Sequence, residues 1–339
     1  MPAISYNALF PPLAHLSDSG PPMRILLVKT SSLGDVIHNL PVVSDLRHSF
    51  PAATIDWCVE DSFAEIPRLH PAVDQVIPVA IRRWRRNLGR LATWREAGDF
   101  LRRIRARSYD AVLDTQGLLK SALLARQARG RRYGYAAEAA REPLAARFYD
   151  ATFVIPRNVH AVQRNRWLAA AAFDYPVDLP LDYGIAAPAI DTGWLSADRV
   201  VVLLTATSRD DKLWDEAHWC ALGRALLERG LTPVLPAGSA PERKRCERLV
   251  MAMPGAIVPP PLSLPQVAAL LARASLVIGV DTGLAHLAAA LRVPTIALYV
   301  ATDPSLTGVY GSGFVRNLGG AGTPPSPGEV LTVAVQALR

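Results

Sequence analysis

From about residue 23 onward, short runs of apolar residues alternate with longer segments in which apolar residues recur every three or four positions. The first pattern marks strands buried on both faces and the second marks amphipathic helices, so together they predict parallel sheets joined by crossover helices. In the first half the pattern predicts strands at Ile25–Lys29, Thr54–Val59, Gln75–Pro78, Ala111–Asp114 and Phe153–Pro156, with helices at Asp35–Ser49, Ala92–Arg107 and Leu118–Gln127. The periodicity lapses over Val177–Arg199, a stretch of proline, alanine and turn residues that reads as a linker. It resumes with strands at Val200–Ser208, Leu231–Gly238, Ala256–Pro261, Ser275–Gly283 and Pro294–Val300, and helices at Asp215–Arg229, Pro241–Met251, Leu264–Arg273, Gly283–Leu291 and Glu329–Arg339. The fold class expected is α/β: two Rossmann-like domains, residues 23–180 and 181–326, with mostly parallel sheets whose carboxyl edges face a common cleft, where open sheets of this kind bind ligands. A helix within residues 327–339 closes the chain, and packing on the first domain is one expectation for it.

The opening segment, residues 1–22, lacks a basic start and is broken by Pro11, Pro12, Pro21 and Pro22, so it reads as a disordered extension rather than a signal peptide. No window reaches the roughly 18 uninterrupted apolar residues of a membrane-spanning helix. Cys58, Cys220 and Cys246 lie far apart without a CxxC spacing, which argues against a disulfide framework or a zinc site and suits a reducing cytoplasm.

Charge changes the picture more than composition does. The net charge is +7, and all of the excess lies in residues 1–180, because the remainder is balanced. Ile81–Arg107 alone carries ten arginines against Glu96 and Asp99. An anionic partner is therefore expected for the first half. Trp84 and Trp94 interleave these arginines, and packing of the helix is the favoured role for both over contact with a membrane interface.

Two turns carry candidate chemistry. In LLVKTSSLGDVIHNLP, residues 26–41, a strand runs through a small polar turn into a helix start, the arrangement that ordinarily receives phosphate, yet Asp35 stands at its mouth. In VIGVDTGLAHLAAAL, residues 277–291, a buried strand meets Asp281-Thr282-Gly283 and a helix begins at once, with His286 one turn in. Asp281 or Thr282 is placed to cap that helix, and the exposed amides after Gly283 suit a diphosphate. Thr207, Ser208 and Lys212, in LLTATSRDDKLW, follow another strand end of the same sheet and should converge on it. No G-x-G-x-x-G follows a strand, no P-loop motif exists, and no Asp-x-Asp pair is present to hold a divalent ion, so a metal-independent nucleotide-diphosphate site is expected.

VKTSSLGDVIHNLP, IRRWRR, DTQGLLKSAL, AREPLAARFY, TSRDDKLW and VDTGLAHLAAAL occur in the order and spacing of the lipopolysaccharide heptosyltransferase I family, which the chain resembles from Met23 to Leu291 and more loosely beyond. The resemblance implies a GT-B glycosyltransferase that moves heptose from ADP-heptose to the inner Kdo of Kdo2-lipid A with inversion, using no metal or cofactor. It implies donor contacts from Thr207, Ser208, Lys212, Glu242, Leu262, Asp281, Thr282, Gly283 and His286, of which Ser208 and Leu262 depart from the family's usual threonine and methionine. Inverting transfer needs one base for the acceptor hydroxyl, and the resemblance puts Asp35 there, with Lys212 steadying the departing diphosphate. Acceptor contacts are implied for Ser32, Arg82, Arg83, Arg85, Arg86, Lys120, Arg141, His160 and Arg164. An acceptor of this kind places the protein on the cytoplasmic, anionic face of a Gram-negative inner membrane, as a peripheral protein. A later-acting heptosyltransferase or another ADP-sugar transferase is the rival within enzymes. A basic nucleic-acid-binding protein is the distant one and is disfavoured, because it leaves the neutral second half without a role.

Overall fold

Apolar runs become strands here because helices cover both faces of each sheet. A computed structural model describes residues 5–8, 22–190, 193–195 and 197–339. The chain divides at Gly184, four residues past the expected boundary and inside the expected linker, into Met1–Gly184 and Ile185–Arg339.

The first unit contains β1 (Ser5–Ala8), β2 (Arg24–Val28), α1 (Leu33–Ile37), α2 (Leu40–Ser49), β3 (Thr54–Glu60), α3 (Glu65–Arg68), β4 (Gln75–Val79), α4 (Ile81–Arg86), α5 (Leu91–Arg105), β5 (Ser108–Asp114), α6 (Leu119–Ala125), β6 (Arg129–Tyr135), β7 (Ala151–Val154) and α7 (Ala161–Phe173). Its seven strands lie in the order β1-β7-β6-β5-β2-β3-β4, parallel except for β1. β1 corrects the expectation for Ser5–Ala8: these residues pair antiparallel with β7, Ser5 opposite Val154, and so cover ladder groups that the edge strand would otherwise leave unpaired. The other residues of the expected extension, up to Pro21, lie outside the described residues.

The helix expected at Asp35–Ser49 is two pieces. Pro41, in the first turn of α2, lacks an amide to continue the α1 ladder, so α1 ends at Ile37 and α2 starts at Leu40. β6 and α7 were not anticipated. Arg129, Arg131 and Arg132 interrupt the apolar signal of β6, and Arg132 is held there by Asp150 at 2.6 and 2.9 Å. α7 buries Asn165 and Arg166, which breaks its apolar period; Arg166 is compensated by Asp45 at 2.7 and 3.0 Å. Gly134, in β6, is glycine because a Cβ there would stand 2.3 Å from the Tyr149 ring. That approach lets the Tyr149 hydroxyl donate to buried Asp114 at the end of β5, at 2.7 Å.

The second unit contains β8 (Val200–Leu204), α8 (Glu216–Leu227), β9 (Thr232–Val234), α9 (Ala240–Met251), α10 (Leu264–Arg273), β10 (Leu276–Val280), α11 (Gly283–Ala290), β11 (Thr295–Tyr299), β12 (Val315–Gly319) and α12 (Pro327–Ala337). Its sheet, β12-β11-β10-β8-β9, is parallel throughout. The strand expected at Ala256–Pro261 reduces to two isolated bridges, Ile257 to Val234 and Ala256 to Pro254, because the consecutive prolines Pro259, Pro260 and Pro261 cannot donate to a ladder. β12 is a half-exposed edge strand and lacked an apolar run. The terminal helix α12 packs on α8 and β11 of its own unit, and Val330 and Ala334 join the core of Trp214, Trp219 and Leu222. The Trp214 indole ties down the approach to it, donating to Pro325 O at 3.0 Å.

Both strand orders reverse direction once. In the first sheet the reversal falls between β2 and β5, and in the second between β8 and β10. At such a point two adjacent loops leave the carboxyl edge in opposite directions and open a crevice.

Candidate functional site

At the reversal in the first sheet the loops Lys29–Ser32 and Thr115–Gly117 are laced together by one side chain. Gln116 Oε1 accepts from Thr30 N (2.7 Å), Thr30 Oγ1 (2.9 Å) and Ser31 N (3.2 Å), while its Nε2 donates to Ser31 O. Asp114 in turn fixes Gln116 through its backbone amide at 2.8 Å. The Tyr149–Gly134 approach thus supports the turn from behind. Lys29 is buried directly beneath, donating to Thr115 O at 2.8 Å and Asn165 Oδ1 at 3.4 Å.

Asp35 occupies the third position of α1 and reaches back to its start, accepting from Ser32 N at 2.9 Å and Ser32 Oγ at 3.3 Å. Arg141 closes the other side as a fork, with Nη2 2.7 Å from Oδ1 and Nη1 3.4 Å from Oδ2. Burial works against ionisation of this carboxyl, but the Lys29 and Arg141 charges and these hydrogen bonds outweigh it and hold Asp35 far below the usual carboxylate range. Lys29 is pushed down to about 8 by burial, against the pull of Asp35. The result is an ionised acid, its side chain 15% exposed, inside a cationic cage.

The remaining first-unit candidates fall in two places. Lys120, on α6, donates to Ser31 Oγ at 3.0 Å. Arg164, on α7, lies 4.9 Å from the Tyr135 ring centre and donates to Ala139 O at 2.6 Å; with Lys29, Gln116, Tyr135 and Arg141 it lines a narrow cavity. His160 caps α7, accepting from Val162 N at 3.2 Å, and its ring meets His38 edge-on. The arginine block stands two strands further out, on α4 after β4, connected through Glu60 at the end of β3: Glu60 N donates to Thr30 O at 3.1 Å and Glu60 Oε1 accepts from Arg82 N at 3.0 Å. Within the block Arg82 lies over Phe63, Arg83 is engaged by Asp61 and Glu96, and Arg85 and Arg86 are exposed. Trp84 packs as expected, edge-on to Phe100. Trp94 does not pack inward; it is 62% exposed.

In the second unit the reversal brings together Thr207, Lys212 and Asp281. Thr207 Oγ1 donates to Asp281 O at 2.8 Å, and Asp281 Oδ2 accepts from Lys212 Nζ at 2.7 Å and from Thr302 Oγ1 at 2.9 Å. Capping of α11 departs from the expectation. The Asp281 carboxylate is turned to Lys212, and Thr282, at the N-cap, makes no side-chain capping bond, so neither of the two expected caps covers the amides at Gly283. Ser208, next to Thr207 in sequence, is exposed, and His286 is buried in the first turn of α11. Glu242 accepts from Gly238 N at 2.8 Å on the loop after β9, and Leu262 stands half-buried just before α10. The neighbouring Arg209 and Asp211 form an exposed ion pair of their own, which separates them from Lys212. No three His, Cys, Asp or Glu side chains cluster as a metal site among the described residues.

Sequence reasoning missed Lys29, Gln116, Tyr135, Asn165 and Thr302. Lys29 carried a signal, a charged residue ending an apolar strand; the others become visible only once strand order places their loops side by side.

The model of glycosyltransferase family 9 (heptosyltransferase) matches residues 98–324. Lipopolysaccharide heptosyltransferase 1 of Pseudomonas aeruginosa is 47% identical over 297 residues, covering 87% of this chain and 83% of that protein. The solved structure of E. coli heptosyltransferase WaaC with ADP superposes with a TM-score of 0.84 at 42% identity, covering 93% of this chain and 98% of that one. The same enzyme with ADP-2-deoxy-2-fluoro heptose gives 0.82 at 41% identity and the same coverage.

Proposed function

The chain belongs to glycosyltransferase family 9, the heptosyltransferases, and from that premise we propose an inverting, metal-independent transfer of heptose from ADP-heptose to the inner Kdo of Kdo2-lipid A. Heptose transfer in lipopolysaccharide synthesis follows from the close kinship to heptosyltransferase 1; the stereochemistry, the acceptor and the residue roles are the proposal. The observation that carries it is the contrast between an ionised acid caged at one sheet reversal and a helix start left open beside a lysine at the other.

The second unit takes the ADP moiety. The α11 amides and Lys212 supply positive potential for the diphosphate, and Thr207, Ser208, Thr282 and Gly283 line its approach. Glu242, Leu262 and His286 shape the surrounding pocket. The first unit takes the acceptor. As its hydroxyl attacks the anomeric carbon, the bond to the ADP oxygen breaks, ADP departs as a stable anion, and Asp35 accepts the hydroxyl proton.

A carboxylate held as acidic as Asp35 is a weak base in the free protein, and the cage itself supplies the remedy. Guanidinium forks prefer paired contacts with carboxylates, so the Kdo carboxylate competes with Asp35 for Arg141. When Arg141 turns to the acceptor, Asp35 loses its nearest cation and recovers basicity as the hydroxyl arrives. Arg164, Lys120, Ser32 and His160 complete the acceptor contacts, and Arg82, Arg83, Arg85 and Arg86 meet the lipid A phosphates. Such an acceptor lies in the cytoplasmic leaflet, where the enzyme works as a peripheral protein. The test is transfer from ADP-heptose to Kdo2-lipid A with and without chelator, the new linkage being read by NMR. Inverted product in both arms supports the proposal; a retained configuration, or loss of product with chelator, overturns it.

A further inference from the structure

Trp94 belongs to an exposed apolar group. Among the described residues only seven large apolar side chains are strongly exposed, and three fall within seven positions: Leu88 at 57%, Leu91 at 66% and Trp94 at 62%. The inner face of α5 is already committed, since Thr93, Phe100 and Ile104 are buried and the last two pack with Ile77 and Val79. Leu91 and Trp94 therefore share an outer face with no core left to join, and Leu88 abuts them from the preceding turn.

That turn is ordered before anything binds. Arg90 N donates to Asn87 O at 3.0 Å, Thr93 N to Arg90 O at 3.0 Å, and Thr93 Oγ1 to Asn87 O at 2.8 Å. The Trp94 indole N–H donates to Leu88 O at 2.9 Å. Its only donor is thus satisfied within the chain, and the ring can leave water without an orphaned polar group. Arg90 and Arg95 flank these apolar residues in sequence and Arg85 and Arg86 precede them on α4; all four are exposed, and none has a carboxylate partner among the described residues. The nearby acids are engaged elsewhere, Glu96 and Asp61 by Arg83 and Asp99 by Arg102. A few exposed apolar side chains within a run of uncompensated arginines match an anionic bilayer, whose phosphates lie just outside its hydrocarbon; a protein partner would ordinarily present a larger apolar face.

We propose that Leu88, Leu91 and Trp94 form a wedge that enters the headgroup region of an anionic membrane while Arg85, Arg86, Arg90 and Arg95 hold lipid phosphates around it. The proposal deepens the reading that the acceptor is a membrane lipid, and it rests on that reading for its purpose. The wedge adjoins the arginine block of α4 at the carboxyl end of β4, the sheet edge that carries Asp35.

The test uses the full chain with vesicles of phosphatidylcholine alone or mixed with phosphatidylglycerol, free of acceptor and partly made of bromine-labelled lipid. Wild-type protein should bind the mixed vesicles in a salt-sensitive way with part of its tryptophan fluorescence quenched. Trp94→Leu should keep binding and lose much of that quenching. The triple Leu88→Ser, Leu91→Ser, Trp94→Ser variant should bind about tenfold or more weakly, yet transfer heptose to a deacylated Kdo acceptor at the wild-type rate, which also shows that it folds. Unchanged vesicle binding by the triple variant, or equal quenching in wild type and Trp94→Leu, overturns the wedge. So does wild-type self-association in sedimentation that the serines abolish, if vesicle binding is missing. Failure of wild type to transfer heptose to any Kdo acceptor counts against the functional reading instead and leaves the vesicle result standing.

Discussion

The two sheet reversals are the same topological feature put to opposite electrostatic use. In the first unit the acid sits on the helix, Asp35 in α1, and the lysine on the strand end, Lys29; Asp35 turns back on the helix start and satisfies the Ser32 amide itself. In the second unit the acid ends the strand, Asp281, and turns away to Lys212 and Thr302, so α11 begins at Gly283 capped by neither Asp281 nor Thr282. A helix start that supplies its own anion has no use for phosphate, and one left uncovered beside a lysine does. The comparison accounts for a carboxylate where the turn alone suggests a phosphate loop.

If the division is real, the largest effect should come from the helix acid. Asp35→Asn keeps shape and hydrogen-bonding capacity but cannot take a proton, and kcat should fall on the order of 10²–10⁴-fold, measured by product formation under saturating substrates. Lys212→Ala removes the cation from the open reversal and leaves Asp281 without its ion pair. The KM for ADP-heptose should rise about 10–100-fold with the acceptor KM nearly unchanged, read from initial rates varied in each substrate.

Acid should weaken the first unit. His70, buried in the first unit against Ser44 Oγ at 3.0 Å, is pushed down to about 4 by burial. Unfolded His70 has its ordinary value, about 6.5, so between 6.5 and 4 the unfolded chain binds the extra proton. Stability is therefore complete above 6.5 and falls as pH drops through that window, by about 2 kcal/mol at pH 5. Denaturant unfolding of wild type and His70→Gln at pH 7.5 and 5 checks this; the variant should lose less on acidification. The smallest effect is expected from Thr302→Val, which removes one bond to Asp281 and should raise the ADP-heptose KM only a few-fold, roughly the 1 kcal/mol of a single hydrogen bond.

How much of this was legible beforehand depends on whether a signal was local. The alternation of apolar runs carried the two α/β units, and the turns carrying Asp35, Lys212 and Asp281 stood out because strand, small polar residues and helix start are contiguous in sequence. β6 and α7 were hidden because their polar residues are compensated by partners far along the chain, Arg132 by Asp150 and Arg166 by Asp45. Gln116 lies in the DTQGLLKSAL motif, but its role as a clasp appears only when strand order places that loop beside Thr30. Trp94 was misread for the converse reason: helical spacing shows that a side chain has a face, and not whether another element covers that face.

The central claim is that the base and the diphosphate grip are held by different units, and equilibrium binding of ADP to Asp35→Ala and Lys212→Ala, titrated side by side with wild type, tests it most directly. The account predicts near wild-type ADP affinity for Asp35→Ala and clearly weakened affinity for Lys212→Ala. Collapse of ADP binding in the Asp35 variant, or unaltered binding in the Lys212 variant, contradicts it.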